Sequence, residues 1–560
     1  MSEITAGHLI AKALKNEGVE CVFSLCGGHV MPIYYGLREE GIEVIGVRSE
    51  PAAAHAADAY ARVTGKPGVV ITTAGPGVTN ATTAMVEALN TGTPVIHIGG
   101  AAPTAEFFTG TLQDVDSVGI MAACTKWAAR CVHGKRAAEY IARAYSEATS
   151  GTPGPVYVEI GSDTVQETFE EAEAIMPKKY RPEKMPYGDP ELVKQAAELL
   201  KNAERPLLIV GDEARYSAED DGAVEKLVNK LTMPVWTVNV GRGLFADEDN
   251  ELFKLGFGAT AKADVVLELC ARNDFMIGKC KAPTYAEDAK FIQVNMDPVR
   301  IGYNAEAEVG IIGGAGNVAK QILAELEDAE IPVNTEWLEE ARKLNAEAMA
   351  RYVSSRDAEI APMHPGRAAG EVGKFLATEG RDWGIVTDGG DTNHWIKNNI
   401  KAHEPGQILE KGPFGTIGSG AGYVLGSWFA RKKPVLYYTG DGSFGFHAME
   451  FDTYAREGIP VVGVIANDSS WGMIKMAEQT RHPVEVAEGP IGLVLAEERR
   501  YDKMPEMWGG KGFLIRKPEE IIPAIKEIEA SGLPGILNII IDKGGISHVT
   551  ESFANGLKKK

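Results

Sequence analysis

Short apolar runs rich in Val and Ile alternate with longer amphipathic stretches along most of the chain. Continuous runs bounded by glycine, proline and polar residues predict strands buried on both faces of parallel sheets, with helices as the crossovers. The first such block, residues 1–165, has strands at Cys21-Val22-Phe23-Ser24, Val44-Ile45-Gly46-Val47, Val69-Val70-Ile71-Thr72, Pro94-Val95-Ile96-His97 and Val156-Tyr157-Val158-Glu159. A polar, Pro- and Lys-bearing linker from Met176 to Pro190 precedes the second block, residues 190–330. Its strands fall at Leu207-Leu208-Ile209-Val210, Val265-Val266-Leu267-Glu268 and Phe291-Ile292-Gln293-Val294. An acidic helical linker from Thr335 leads to the third block, residues 361–545. Strands there are expected at Gly384-Ile385-Val386-Thr387, Val435-Leu436-Tyr437-Tyr438, Val461-Val462-Gly463-Val464-Ile465 and Ile536 to Ile541. The expected fold is α/β: three doubly wound parallel-sheet domains. Residues 546–560, ending Lys558-Lys559-Lys560, read as a mobile tail.

A chain of 560 residues is too long for a single core, which agrees with three domains. The net charge of −21 argues against nucleic acid or an anionic membrane surface as the main partner. Six cysteines without a CxxC pair point to reduced thiols rather than a disulfide framework. The opening MSEITAGHLI lacks a basic and apolar leader, and no apolar run approaches the roughly 20 residues of a membrane span. A cytoplasmic protein is expected.

The richest chemistry lies in YYTGDGSFGFHAMEFDTYAREGIPVVGVIANDSSWGMIK, residues 437 to 475. One apolar strand ends in Gly440-Asp441-Gly442, where a helix begins near Ser443, and a second strand ends at Asn467. Both ends belong at the carboxyl edge of adjacent parallel strands, where such sheets bind ligands. Oxygen ligands from Asp441 and Asn467 suit Mg²⁺. Glycines 440 and 442 would let a diphosphate approach the backbone at a helix N-terminus.

GDG followed by 24 residues and Asn resembles the cofactor motif of thiamine diphosphate-dependent enzymes. The resemblance implies thiamine diphosphate and Mg²⁺, the metal held by Asp441, Asn467 and the Ser469 carbonyl. A second Asn is common in the motif; this chain has Asp468. Family chemistry also needs a glutamate on the aminopyrimidine ring. Glu50, between a strand and the Ala-rich helix opened by Pro51, resembles that residue, with Ser49 where the family often has His. Gly75-Pro76-Gly77-Val78-Thr79-Asn80 is similar to the turn lining the pyrimidine pocket. Gly412-Pro413-Phe414-Gly415-Thr416-Ile417-Gly418 is similar to the segment whose apolar residue, here Ile417, wedges under the cofactor. Met473 falls beside it by the same likeness.

The likeness spans the chain and divides among relatives. Gly27-Gly28-His29 and Leu112-Gln113-Asp114 resemble benzaldehyde lyase and imply that His29 and Gln113 handle substrate protons. The third block resembles 2-hydroxyacyl-CoA lyase and oxalyl-CoA decarboxylase. Lys397-Asn398 falls where those enzymes place an Arg-Asn pair on CoA phosphates, and equally fits a solvated helix face. GGHVMPIYYGL and Gly472-Met473-Ile474-Lys475 echo acetolactate synthase, though that family's following Trp is Ala477 here. The resemblance therefore implies a lyase or carboligase acting on small carbonyl substrates, of the 2-hydroxyacyl-CoA lyase type before an acyloin lyase or an acetolactate synthase. The central block is open to ADP, FAD or no ligand. A homodimer or homotetramer is implied, because the family's cofactor lies between two subunits.

Overall fold

In a computed structural model of the chain, residues 3–182, 184–217, 222–245 and 250–558 are described; Lys559 and Lys560 of the expected tail lie outside them. The three blocks form three parallel sheets. In the first sheet the strands stand in the order Glu43–Gly46, Cys21–Leu25, Gly68–Thr72, Val95–Ala101, Val156–Gly161 and Trp127–Cys131. In the third the order is Ile408–Glu410, Gly384–Thr387, Val435–Gly440, Val461–Asn467, Gly535–Ile540 and Gly512–Ile515. Numbered along each domain, both orders read 2-1-3-4-6-5, so the first and third domains share one topology. The central sheet runs Val235–Thr237, Pro206–Val210, Val265–Leu269, Lys290–Asn295 and Val309–Ile312, or 2-1-3-4-5. In all three the order reverses between the first and third strands, which opens a crevice at their carboxyl ends.

The first and third domains are joined by matching helices. Helix Glu50–Thr64 packs along helix Gly420–Arg431. Small residues bring the two backbones together: a Cβ on Gly422 would lie 2.5 Å from the Ala52 carbonyl oxygen, and one on Gly426 2.4 Å from that of Ala56. The core is consequently continuous across the two domains, uniting Ala53, Ala56 and Phe23 with Tyr423, Val424 and Tyr437.

Two expectations change. The tail beyond residue 546 contains a helix, His548–Lys558, packed on helix Gly472–Arg481. Ala554 is buried beneath it, Arg351 pairs with Glu551 at 2.5 Å, and Ser547 donates from N–H and Oγ to Asp391 at 2.9 and 2.6 Å. Those anchors override the disorder suggested by the terminal lysines. The hydropathy pattern also passed over five strands that stand at sheet edges: Trp127–Cys131, Val235–Thr237, Val309–Ile312, Ile408–Glu410 and Gly512–Ile515. The short antiparallel pair Glu3–Thr5 and Thr168–Glu170 was passed over as well. No helix among the described residues is long and apolar enough to cross a membrane.

Candidate active site

At the third domain's crevice a cavity of about 300 Å³ lies over the ends of strands Gly384–Thr387 and Val435–Gly440. Gly390 and Thr392 follow the first of these strands, and Gly440 to Ser443 follow the second. The glycines are needed for access. A Cβ on Gly440 would sit 3.0 Å from Thr392 Oγ1, and one on Gly442 would meet the Trp471 ring at 2.6 Å. Open N–H groups where helix Asp441–His447 begins complete a surface suited to a diphosphate. Ile417 and Met473 line the same cavity, with Gly415 and Gly418 in left-handed conformation on either side of Ile417. Segment Ile541–Lys543 and Ile546 close its far side, just ahead of the C-terminal helix.

The side chains at the cavity lie one residue along the chain from those the sequence led us to expect. Asp441 follows strand Val435–Gly440 and Asp468 follows its parallel neighbour Val461–Asn467, and both line the cavity. Burial raises both carboxyls above the ordinary carboxylate range, and the neighbouring Asp468 charge raises Asp441 further. Two adjacent carboxylates disfavouring joint ionisation form a donor set that a divalent cation would satisfy. Asn467 points elsewhere. Its Oδ1 accepts from Ser469 N–H at 3.0 Å, and its Nδ2 donates to Asn538 Oδ1 at 3.0 Å. The Ser469 carbonyl accepts from Leu495 N–H at 2.8 Å, whereas Ser470 lines the cavity. The strand ends at Asn467 and Ser469 takes φ +55°, a bend that leaves Asp468 and Ser470 at the cavity while Asn467 and Ser469 bond within the domain. Asp441, Asp468 and Ser470 line the cavity, and Asn467 and Ser469 do not.

The remaining predicted residues gather at the first domain's crevice. Glu50 is the first residue of helix Glu50–Thr64, almost fully buried, and Asn80 Nδ2 donates to its Oε2 at 3.0 Å. The backbone just ahead is gripped by the third domain. Arg48 N–H and Ser49 N–H donate to Glu450 Oε1 at 3.0 and 3.1 Å, and Ser49 Oγ is hydrogen-bonded to His447 Nδ1 at 3.2 Å. Gly75 holds φ +57° at the start of the short helix Pro76–Asn80, and a Cβ there would lie 2.9 Å from Gln113 Cβ. Gln113 itself has φ +61°, and its Oε1 is buried without a protein partner. His29 Nδ1 is hydrogen-bonded to Thr73 Oγ1 at 3.1 Å, and partial burial lowers the imidazole below its ordinary value. His29, Gly75, Asn80, Gln113 and Glu50 thus form one cluster. None of them lines the third-domain cavity, whose described lining belongs to the third domain alone.

Two expectations find no support. Lys397 is mostly buried, its ammonium 3.8 Å from Glu410, and the Asn398 side-chain amide donates to the His394 carbonyl at 2.8 Å. Both side chains have partners within the third domain. The central crevice, between Gly211-Asp212 and Ala271-Arg272, holds about 10 Å³, the room of roughly one water. Its side chains serve packing between domains: Arg272 donates to the Leu89 carbonyl and Arg215 to those of Arg62 and Val63.

Sequence reading missed Asp468, Ser470, Thr392, Trp471 and the closing segment. The pair Gly389-Gly390 after an apolar strand was the available signal for Thr392; nothing local marked the closing segment.

A split site of this kind defines a cofactor enzyme whose two functional halves are built on duplicated domains. Residues 4–120 match the thiamine pyrophosphate enzyme N-terminal TPP binding domain, 193–322 the central domain and 388–539 the C-terminal TPP binding domain. The chain is 33% identical to a probable acetolactate synthase of Mycobacterium bovis over 96% of both chains. It is 28% identical to 2-hydroxyacyl-CoA lyase 1 of Mus musculus and 29% identical to oxalyl-CoA decarboxylase of Escherichia coli, each covering 96% of this chain and 94% of the relative. The chain belongs to the thiamine pyrophosphate enzymes.

Proposed function

We propose that this protein is a thiamine diphosphate- and Mg²⁺-dependent lyase or carboligase acting on small carbonyl substrates, 2-keto acids or acyloins, without CoA. The observation that carries the reading is the cavity over Gly440-Asp441-Gly442, where the Asp441–Asp468 pair stands beside Ile417 and Met473. Asp441, Asp468 and the Ser470 carbonyl would hold the metal against the diphosphate. The bound coenzyme supplies the nucleophilic carbon and the electron sink that breaking or making a bond beside a carbonyl requires.

The protein's residues do the rest. Glu50, oriented by Asn80, would hold a proton toward a ring nitrogen of the bound coenzyme's pyrimidine. Lowered basicity keeps His29 neutral near pH 7, able to accept a substrate proton; Gln113 offers an amide to a developing alkoxide. The cavity's lining includes no first-domain residue, and the family likeness implies a dimer in which Glu50 of one chain serves the cavity of its partner. Lys397 and Asn398, each with a protein partner already, weigh against CoA thioesters.

The test is to incubate the protein with thiamine diphosphate and Mg²⁺ and offer, in parallel, pyruvate, benzoin-type acyloins, and formyl-CoA with an aldehyde. Products are identified by mass. Acetolactate or free aldehydes are the expected products; a CoA thioester formed or consumed would overturn the reading.

A further inference from the structure

Glu87, midway along helix Thr82–Thr91 of the first domain, is fully buried, yet both of its carboxylate oxygens serve the third domain. Oε1 accepts from Gly412 N–H, and Oε2 accepts from Thr416 N–H at 3.4 Å. These donors bracket the turn Pro413–Gly415 and end one residue before Ile417, which lines the cofactor cavity.

The grip continues on the other side. The Arg62 guanidinium lies 3.8 Å from Glu87, is bidentate on Asp58 at 2.7 and 2.6 Å, and donates to the Glu410 carbonyl at 2.8 Å. Tyr423 completes the set by donating to Asp58 at 2.9 Å. Residues 410, 412 and 416 are therefore held at three backbone points by one buried ion network. The turn also packs close against the helix, since a Cβ on Gly412 would fall 2.1 Å from Thr91 Cγ2. Buried ion pairs add little net stability over apolar packing. Their advantage is directional: two charge-assisted bonds fix a backbone that glycine-rich sequence leaves free.

We propose that Glu87 is a positioning residue that fixes the Gly412–Thr416 turn and thereby sets Ile417 under the coenzyme rings. The proposal rests on the reading of the cavity as the thiamine diphosphate site. It predicts a loss in the chemical step rather than in cofactor retention, because diphosphate and metal are held elsewhere, by the Gly440–Ser443 turn, Asp441 and Asp468.

The experiment compares wild type, E87A, E87Q, I417A and E87A/I417A as holoenzymes, measuring kcat, KM and thiamine diphosphate Kd by quenching of tryptophan fluorescence. E87A should lower kcat by about tenfold to 100-fold, the scale of a small misplacement, with Kd changed less than about threefold. The double variant should be no worse than its more severe parent, because both changes disturb one contact. E87Q, which keeps the volume but presents a donor to Thr416 N–H, should fall between. Unchanged kcat in E87A, losses that multiply in the double, or a Kd that worsens as much as kcat would overturn the proposal. Failure of both E87A and E87Q to fold would overturn it too, marking the carboxylate as a requirement of folding. A wild type that binds no thiamine diphosphate would instead sink the reading of the cavity itself.

Discussion

Asn80 Nδ2 reaches Glu50 Oε2 at 3.0 Å across the mouth of the first domain's crevice, tying the turn after one strand to the helix after another. This bond fixes which way the carboxylate faces. E50Q should cut turnover by about 100-fold to 10,000-fold, the range for removing a general acid–base group, with melting temperature unchanged. N80A should cost less, about tenfold, because the carboxylate remains but loses its orientation. Steady-state kinetics with saturating cofactor checks both, and full activity in E50Q would refute the assignment.

The one-residue register of the cation site makes a separable prediction. D468N should weaken Mg²⁺-dependent cofactor binding while leaving the fold intact, since its carboxylate faces the cavity. N467A should instead destabilise the protein by about 1–3 kcal/mol, the usual cost of unsatisfied buried polar groups, because Asn538 and Ser469 N–H lose their partner. Calorimetric titration with Mg²⁺ and thermal unfolding separate the two; the reverse pattern would restore Asn467 as the ligand.

The C-terminal helix should govern access. Truncation after residue 545 removes Ser547, whose two bonds to Asp391 fasten the helix beside the cavity, together with Glu551. A raised KM, with kcat affected less, is expected. S547A should reproduce part of the effect, and an unchanged KM in the truncated protein would show the helix to be merely peripheral.

Acid should unfold the protein through buried histidines. His55 and His97 are fully buried, and burial pushes both from 6.5 down to about 3. Below pH 6.5 the unfolded chain takes up protons that the folded one refuses, so these two sites destabilise the fold increasingly as pH falls toward 3. Above pH 6.5 they contribute no pH dependence. Melting temperatures between pH 4 and 8 should show the decline, and H97Q should blunt it.

The legible and illegible parts of the chain divide on physical grounds. Central strands such as Val69–Thr72 and Val461–Ile465 are buried on both faces and announce themselves as unbroken β-branched runs. Edge strands such as Gly512–Ile515 are half-covered, short and mixed in character, so the same pattern is absent. Gly440-Asp441-Gly442 and Glu50 were readable because each chemistry demands a residue type at a strand–helix junction. Asp468 was visible as a departure from motif, but which of two neighbours faces the cavity depends on how the chain turns after the strand end at Asn467. Lys397 shows the opposite error, for a basic residue on a helix carries no sign of the buried Glu410 it will meet.

The account stands on one claim, that the activating acid and the metal cavity of a working site come from different chains. It is tested by co-expressing E50Q with D441A, each inactive alone, and assaying the purified mixture. Random pairing into symmetric dimers would give heterodimers with one intact site, restoring roughly a quarter of wild-type activity. Recovery no greater than the sum of the two parents would place both residues in a site formed within a single chain and contradict the account.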